Sequence, residues 1–221
     1  MNQATVTQRV TSILDDVSRL THVLNALANT NVQHYPENCE KLSADAIHWA
    51  ERITCRLRRL LFAATSVSKE EYLLSAAAIL GISVRQTAEM IEITLPCLLP
   101  KRRRRPNPEY LLDPLTAVLS QFARSHPLPI MNHCVICFSH IYTCERPEQT
   151  VRDYDNLEMK QILDVVASYI LTDDSGLLCD AYYSTELGNE SCTRISIMES
   201  RYFRDWLDAR EPALQSIRDL S

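Results

Sequence analysis

Glycine is nearly absent from this 221-residue chain, with only Gly81, Gly176 and Gly188 present. That is about a fifth of the usual frequency of roughly 7%. Glycine lets a backbone close around a phosphate, and three glycines so far apart can write neither G-x-G-x-x-G nor G-x-x-x-x-G-K-[ST]. Most dehydrogenases, kinases and P-loop ATPases are thereby excluded, and any phosphate chemistry must rest on side chains. Long apolar runs are also missing: none approaches the ~18 to 20 residues that span a bilayer. The first twelve residues are polar, without the charged start and apolar centre of a signal peptide. A cytoplasmic protein with no membrane association is expected. Eight cysteines are scattered through core-like segments, which fits buried reduced thiols better than a disulfide framework.

What is present is an apolar fraction of 46%, ample for a buried core. Val6, Val10, Ile13, Val17, Leu20, Leu24 and Leu27 form an a/d seam over three heptads, and Leu42, Ala46, Trp49, Ile53, Leu57, Leu60 and Ala64 repeat nearly the same stepping. The polar break between them, with Asn29, Asn31, His34 and Pro36, predicts an antiparallel helical hairpin. The seams bury against each other, or one face also dimerises the chain.

A third helix starts at Ser68, whose spacing from Glu71 is that of a capping box, and stops at Gly81. Residues 77–90 also fit a helix-turn-helix, with Gly81 in the turn and Ser83 as cap. The alternation of Ile91, Ile93 and Leu95 favours a strand instead. The chain therefore divides into a helical module, 1–90, and a second domain, 91–221. In the second, a helix fits 109–125, a β-prone run 131–142, a helix 157–169, strands near 177–184 and 193–198, and a terminal helix from Tyr202. The fold class is α+β: a helical hairpin or bundle, then a small mixed sheet flanked by helices.

The chemistry concentrates in 152–175. Asp153 and Asp155 lie two apart, which in an extended segment puts both carboxylates on one face, and Asn156 is placed to cap the next helix. One helix later come Asp173 and Asp174. If these carboxylates converge, each resists ionisation beside the others. A divalent cation resolves the conflict, and oxygen ligands suit Mg2+ or Mn2+, the ions that activate water against a phosphodiester. The alternative is that the aspartates cap helices and fill turns.

The order strand, basic loop, helix, strand, then RDYDNLEMK, helix and TDDS resembles the RusA-type Holliday junction resolvases, whose signature is D-x-D-N-L-x-K and a later D-D turn. The resemblance covers about residues 91–200. It implies a RusA-like endonuclease-type domain in a homodimer, acting on branched DNA in recombination and repair with Mg2+. Asp153, Asp155 and Asp174 match its metal-binding carboxylates, with Asp173 beside them. The family lysine falls where this chain has Met159, and Lys160 lies one position later. A helix turns about 100° per residue, so that ammonium leaves from a different side, although a long stem recovers part of the offset. Residues 1–90 have no counterpart in the short resolvases and suggest an added recognition or assembly module.

Lys101, Arg102, Arg103, Arg104 and Arg105, bracketed by Pro96, Pro100, Pro106 and Pro108, form an exposed basic loop suited to DNA phosphates. Residues 91–221 nonetheless carry 14 Lys and Arg against 19 Asp and Glu, so any DNA contact must be local. The run from His133 to His140 invites a zinc reading, but Cys134 and Cys137 point to opposite faces of a strand, so buried strand cysteines are expected. The sequence reading is thus a Mg2+-dependent structure-specific endonuclease with Lys160 beside its carboxylates. Its alternatives are a catalytically impaired RusA-like DNA-binding protein and a purely assembling one.

Overall fold

Asn2 opens the first helix, α1 (Gln3–Ala28), by accepting the Thr5 N–H on its side-chain oxygen at 2.9 Å. Pro36 begins α2 (Pro36–Ala64) at a position where its missing N–H costs nothing. The two helices pair as the expected hairpin, and one row of the predicted α1 seam, Val6, Ile13, Leu20 and Leu27, turns inward while the other does not. Ile13 is buried, whereas Val10, Val17 and Leu24 remain exposed. Electrostatics rotates the helix: Asp16 is buried, and its carboxylate receives Arg56 Nη1 at 2.7 Å and Arg52 Nε at 3.2 Å. Arg56 also donates to the Ser12 carbonyl and hydroxyl oxygens at 3.1 and 2.7 Å. Arg19 and Arg52 each lie over the Trp49 ring, at 5.2 and 5.3 Å.

The third helix, α3 (Lys69–Leu80), begins as the sequence predicts, with the Ser68 hydroxyl accepting the Glu71 N–H at 3.3 Å. It ends at Gly81, whose φ of +80° is the left-handed conformation that glycine adopts freely. The Ile82 N–H then reaches back to the Ala77 carbonyl at 2.9 Å, closing the last turn. The helix-turn-helix alternative is overturned at this point. Ser83–Gln86 is a strand, β1, hydrogen-bonded antiparallel to β2 (Met90–Leu95). That pairing also moves the boundary, because residues 73–90 belong with the sheet: the chain divides into units of 1–72 and 73–221.

The remaining elements are α4 (Glu109–Ser125), β3 (Cys134–Thr143), α5 (Lys160–Ile170), β4 (Cys179–Gly188), β5 (Cys192–Glu199), a 3-10 turn (Ser200–Tyr202) and α6 (Phe203–Asp208). The computed structural model describes residues 2–99, 109–143, 151, 153–154 and 157–210. Among them, six α-helices accompany one mixed sheet in the order β1-β2-β5-β3-β4, so the class is α+β as expected. Only β3 and β4 are parallel, joined through α5. The other neighbours are antiparallel.

Side-chain alternation divides the sheet into two faces. On the face covered by α4 and α5, cross-strand register aligns three rows across β2, β5, β3 and β4. Ile91, Ile197, Ile136 and Ala181 form the first, and Ile93, Ile195, Phe138 and Tyr183 the second. Leu95, Thr193, His140 and Thr185 form the third. Leu111, Leu115 and Leu119 of α4 and Ile162, Val166 and Ile170 of α5 complete this core. Burial of these branched and aromatic side chains, each contributing about 1.5 to 3 kcal/mol before conformational entropy is subtracted, holds the layer together. On the opposite face, Val135, Cys137 and Met198 pack with Tyr182, Phe203 and Trp206. Cys134 and Cys137 therefore do enter opposite layers, and burial pushes the Cys137 thiol up to about 12.

Candidate nucleic-acid interface

The third row is where the helix-covered face changes from apolar to polar. His140 is fully buried with Thr193 on one side and Thr185 on the other. Thr193 donates its hydroxyl hydrogen to the Cys97 carbonyl at 3.0 Å, fixing the chain just after β2. Tyr154 lies over the row: its hydroxyl meets the Thr185 hydroxyl at 2.9 Å, and its ring lies 5.8 Å from His140 and 5.6 Å from Tyr183. Neither ring nitrogen of His140 has a hydrogen-bond partner among the described residues. Burial pulls this histidine down to about 4, which keeps the imidazole neutral near pH 7.

This row marks one end of the sheet, and several chain segments leave from it. β2 ends at Leu95, paired with Thr193. β3 ends at Thr143, paired with Gly188 at the end of β4. Asp153, exposed, is held at the same end by its neighbour Tyr154. Lys101 to Arg105 lie outside the described residues, as do Arg152, Asp155 and Asn156. The described chain nevertheless leads into the basic run from buried Leu99, four residues after the end of β2.

The Asp173–Asp174 pair lies at the other end. Both are exposed and follow α5, where Met131 N–H donates to the Ile170 carbonyl at 2.7 Å and Thr172 N–H to the Met131 carbonyl at 3.2 Å. The Ser175 carbonyl accepts the N–H groups of Leu178 and Cys179 at 2.9 and 3.0 Å, leading directly into β4. Burial, then the neighbouring Cys134 and Asp180, push the Cys179 thiol up to about 12, with the charge of Asp174 adding least. The eleven residues of α5 span about 16 Å, and the six residue steps from Cys179 to Thr185 about 20 Å. Tyr154 thus meets β4 at Thr185, whereas Asp174 lies near its start at Cys179. Among the described residues no group of three or more His, Cys, Asp or Glu could hold a metal ion.

Lys160 and Met159 occupy different environments. Met159 packs against the core, whereas Lys160 points to solvent and pairs with Asp164 at 3.3 Å one helical turn on. The side chain at the position of the resemblance's lysine thus faces inward. Sequence reasoning weighed His140 only within a zinc-like run and missed Tyr154, Thr185 and Thr193. The alternation of β3 could have placed His140 on the side of Ile136 and Phe138, but the polar row needs the register of four strands.

At the other end of the sheet, a cleft of about 360 Å3 is lined by residues including Gln86, Glu89, Met90, Leu128, Glu199 and Tyr202. It has no part in the polar row. No helix among the described residues is long and apolar enough to cross a membrane.

The model of a family of unknown function, DUF6100, matches residues 2–221, and the chain belongs to that family. No curated protein and no solved structure matches it.

Proposed function

We propose that this protein binds structured DNA, branched DNA in particular, as a RusA-like protein whose contact surface is the polar end of the sheet. The observation that supports it most directly is positional. The chain entering the pentabasic run Lys101–Arg105 and the segment of Asp153 leave the sheet at one end, over the Leu95, Thr193, His140 and Thr185 row. Segments at the carboxyl ends of strands are free to shape a binding surface on a rigid base. Five adjacent cations supply salt-sensitive affinity for phosphates without reading sequence. The nearby aspartates disfavour indiscriminate coating of duplex DNA and confine contact to a short stretch.

A second reading is a Mg2+-dependent endonuclease built on Asp153, Asp155, Asp173 and Asp174. The exposure of Asp153, Asp173 and Asp174 favours it. Fluorescence anisotropy with a labelled four-way junction and a matched linear duplex tests the binding reading. Tighter binding of the junction, weakened when Arg102 to Arg105 become Ser, is expected. Equal affinity for the two DNAs, or no effect of the substitutions, overturns it. Incubating the junction with Mg2+ tests the second reading, with Asp155→Asn as control: absence of cleavage, or cleavage unaltered by that change, removes it.

A further inference from the structure

α1 and α2 leave one side of their hairpin uncovered. Val10, Leu14, Val17, Thr21 and Leu24 step by 4 and 3 along α1, and Ile47, Ala50, Thr54 and Leu57 step by 3 and 4 along α2. At about 100° per residue, each set keeps within an arc of about 80°, roughly a quarter-turn beyond the side that faces the other helix. In antiparallel helices, equal turns in the same sense fall on the same side, so the two stripes form one surface. Its six large apolar side chains are 38 to 61% exposed. No charged residue enters it: Arg19, Lys41, Arg52 and Arg59 fall on the other side of the hairpin, where Arg19 and Arg52 lie over Trp49. The Thr21 and Thr54 hydroxyls donate to the Val17 and Ala50 carbonyls of their own helices, at 2.9 Å each, so burying them leaves no donor unmet.

We propose that this surface packs against the same surface of a second copy of the chain, forming a four-helix bundle about a two-fold axis. The residues repeat about the middle of the surface. On α1, Val10 and Leu24 lie seven positions either side of Val17. On α2, Ile47 and Leu57 lie five positions, and Ala50 and Thr54 two, either side of Arg52. The ion pair of Arg52 with Asp16, the neighbour of Val17, puts the two centres at one level of the hairpin. A two-fold axis crossing the helices at that level lays α1 antiparallel on the partner's α1, and α2 on the partner's α2. Val17 then meets the partner's Val17, Val10 the partner's Leu24, and Ile47 the partner's Leu57. Apolar side chains meet at each level, and an uncharged surface has nothing with which to repel its own copy.

The extent of the surface suits a stable dimer. Helices of 26 and 29 residues are about 40 Å long. A pair of them about 10 Å apart presents a face of about 40 by 20 Å, or roughly 800 Å2, the area that each partner buries in a specific complex. A different protein as occupant would require neither the absence of charge nor the repeat about Val17 and Arg52. The bundle involves the first unit alone and is independent of the DNA reading.

Sedimentation of the full chain tests the bundle, and a dimer is expected at tens of micromolar. Leu14→Glu and Leu57→Glu change exposed positions that the hairpin does not bury. Each should raise the Kd about tenfold or more with the helical circular dichroism unchanged. Gln8→Glu, which adds the same charge to α1 away from the surface, should leave the Kd as it is. Val10→Glu should weaken the dimer, and adding Leu24→Lys to the same chain should regain affinity, because the two new charges meet only across the axis. A monomeric natural chain overturns the proposal and leaves the surface to a different protein. A dimer indifferent to both Leu14→Glu and Leu57→Glu overturns it by placing the contact elsewhere. A dimer that Val10→Glu weakens and Leu24→Lys does not regain overturns the two-fold register.

Discussion

The Tyr154 ring lies 5.8 Å from the buried His140 ring, tilted by 32°. This contact and the hydroxyl pair with Thr185 anchor the segment carrying Asp153 over the end of β3 and β4. A histidine enclosed this way gains no charge in the folded state until the pH is well below its ordinary range, since burial holds it down to about 4.

Stability should therefore fall with acid through this residue. The unfolded imidazole binds a proton as pH drops through about 6.5, while the folded one does not until about 4, so between these values the unfolded state gains protons and is favoured. The full effect at pH 4 is on the order of 3 kcal/mol. Urea unfolding at pH 7 and pH 5 should show about 2 kcal/mol of this loss in the natural chain and less in His140→Leu. An unchanged difference would place the acid sensitivity elsewhere.

Asp16→Ala should destabilise the α1–α2 hairpin. The carboxylate is buried and touches Arg52 and Arg56, which keep 40% and 30% of their side-chain surface in water. Solvent can therefore recover part of what the arginines lose, and the expected cost is about 1 to 3 kcal/mol rather than that of a fully buried pair. A double-mutant cycle with Arg56→Gln should give a non-zero coupling, and additive losses would count against the ion pair.

Two glycines should respond differently to alanine. At Gly81 the new Cβ meets nothing within 4 Å, so only the φ of +80° is penalised, at about 1 kcal/mol. At Gly188 the Cβ would lie 2.7 Å from Cγ2 of Ile141, a β-branched side chain with little freedom to move. Overpacking of this kind costs about 1 to 3 kcal/mol. Chemical denaturation of both variants should rank Gly188→Ala as the more damaging, and the reverse order would mean that the end of β4 relaxes.

The basic run should set the salt dependence of DNA binding. Each phosphate contact contributes about 0.9 to the slope of log K against log salt on duplex DNA. Replacing Arg102 to Arg105 with Ser should lower that slope by up to about 4. A lower affinity with the slope unchanged would place the phosphate contacts on other residues.

The local elements were legible in the sequence because their causes are local. The Ser68 cap, the Gly81 stop, the limits of α4 and the alternation of Ile91, Ile93 and Leu95 all follow from neighbours a few residues apart. The facing side of α1 was only half legible: Val6, Ile13, Leu20 and Leu27 turn inward as the seam predicts, but Asp16 replaces the other row, drawn inward by arginines 36 and 40 positions away. The acidic motifs and the basic run were visible as residues, but their relative positions were not. The sequence by itself determined the α+β class, the helical start and the alternating strands, since periodicity and turn chemistry act over short distances. Tertiary structure alone decided that His140 joins two threonines in a polar row and that β4 lies at the edge of the described sheet. Those outcomes depend on strand order and register, which are set by contacts between residues tens of positions apart.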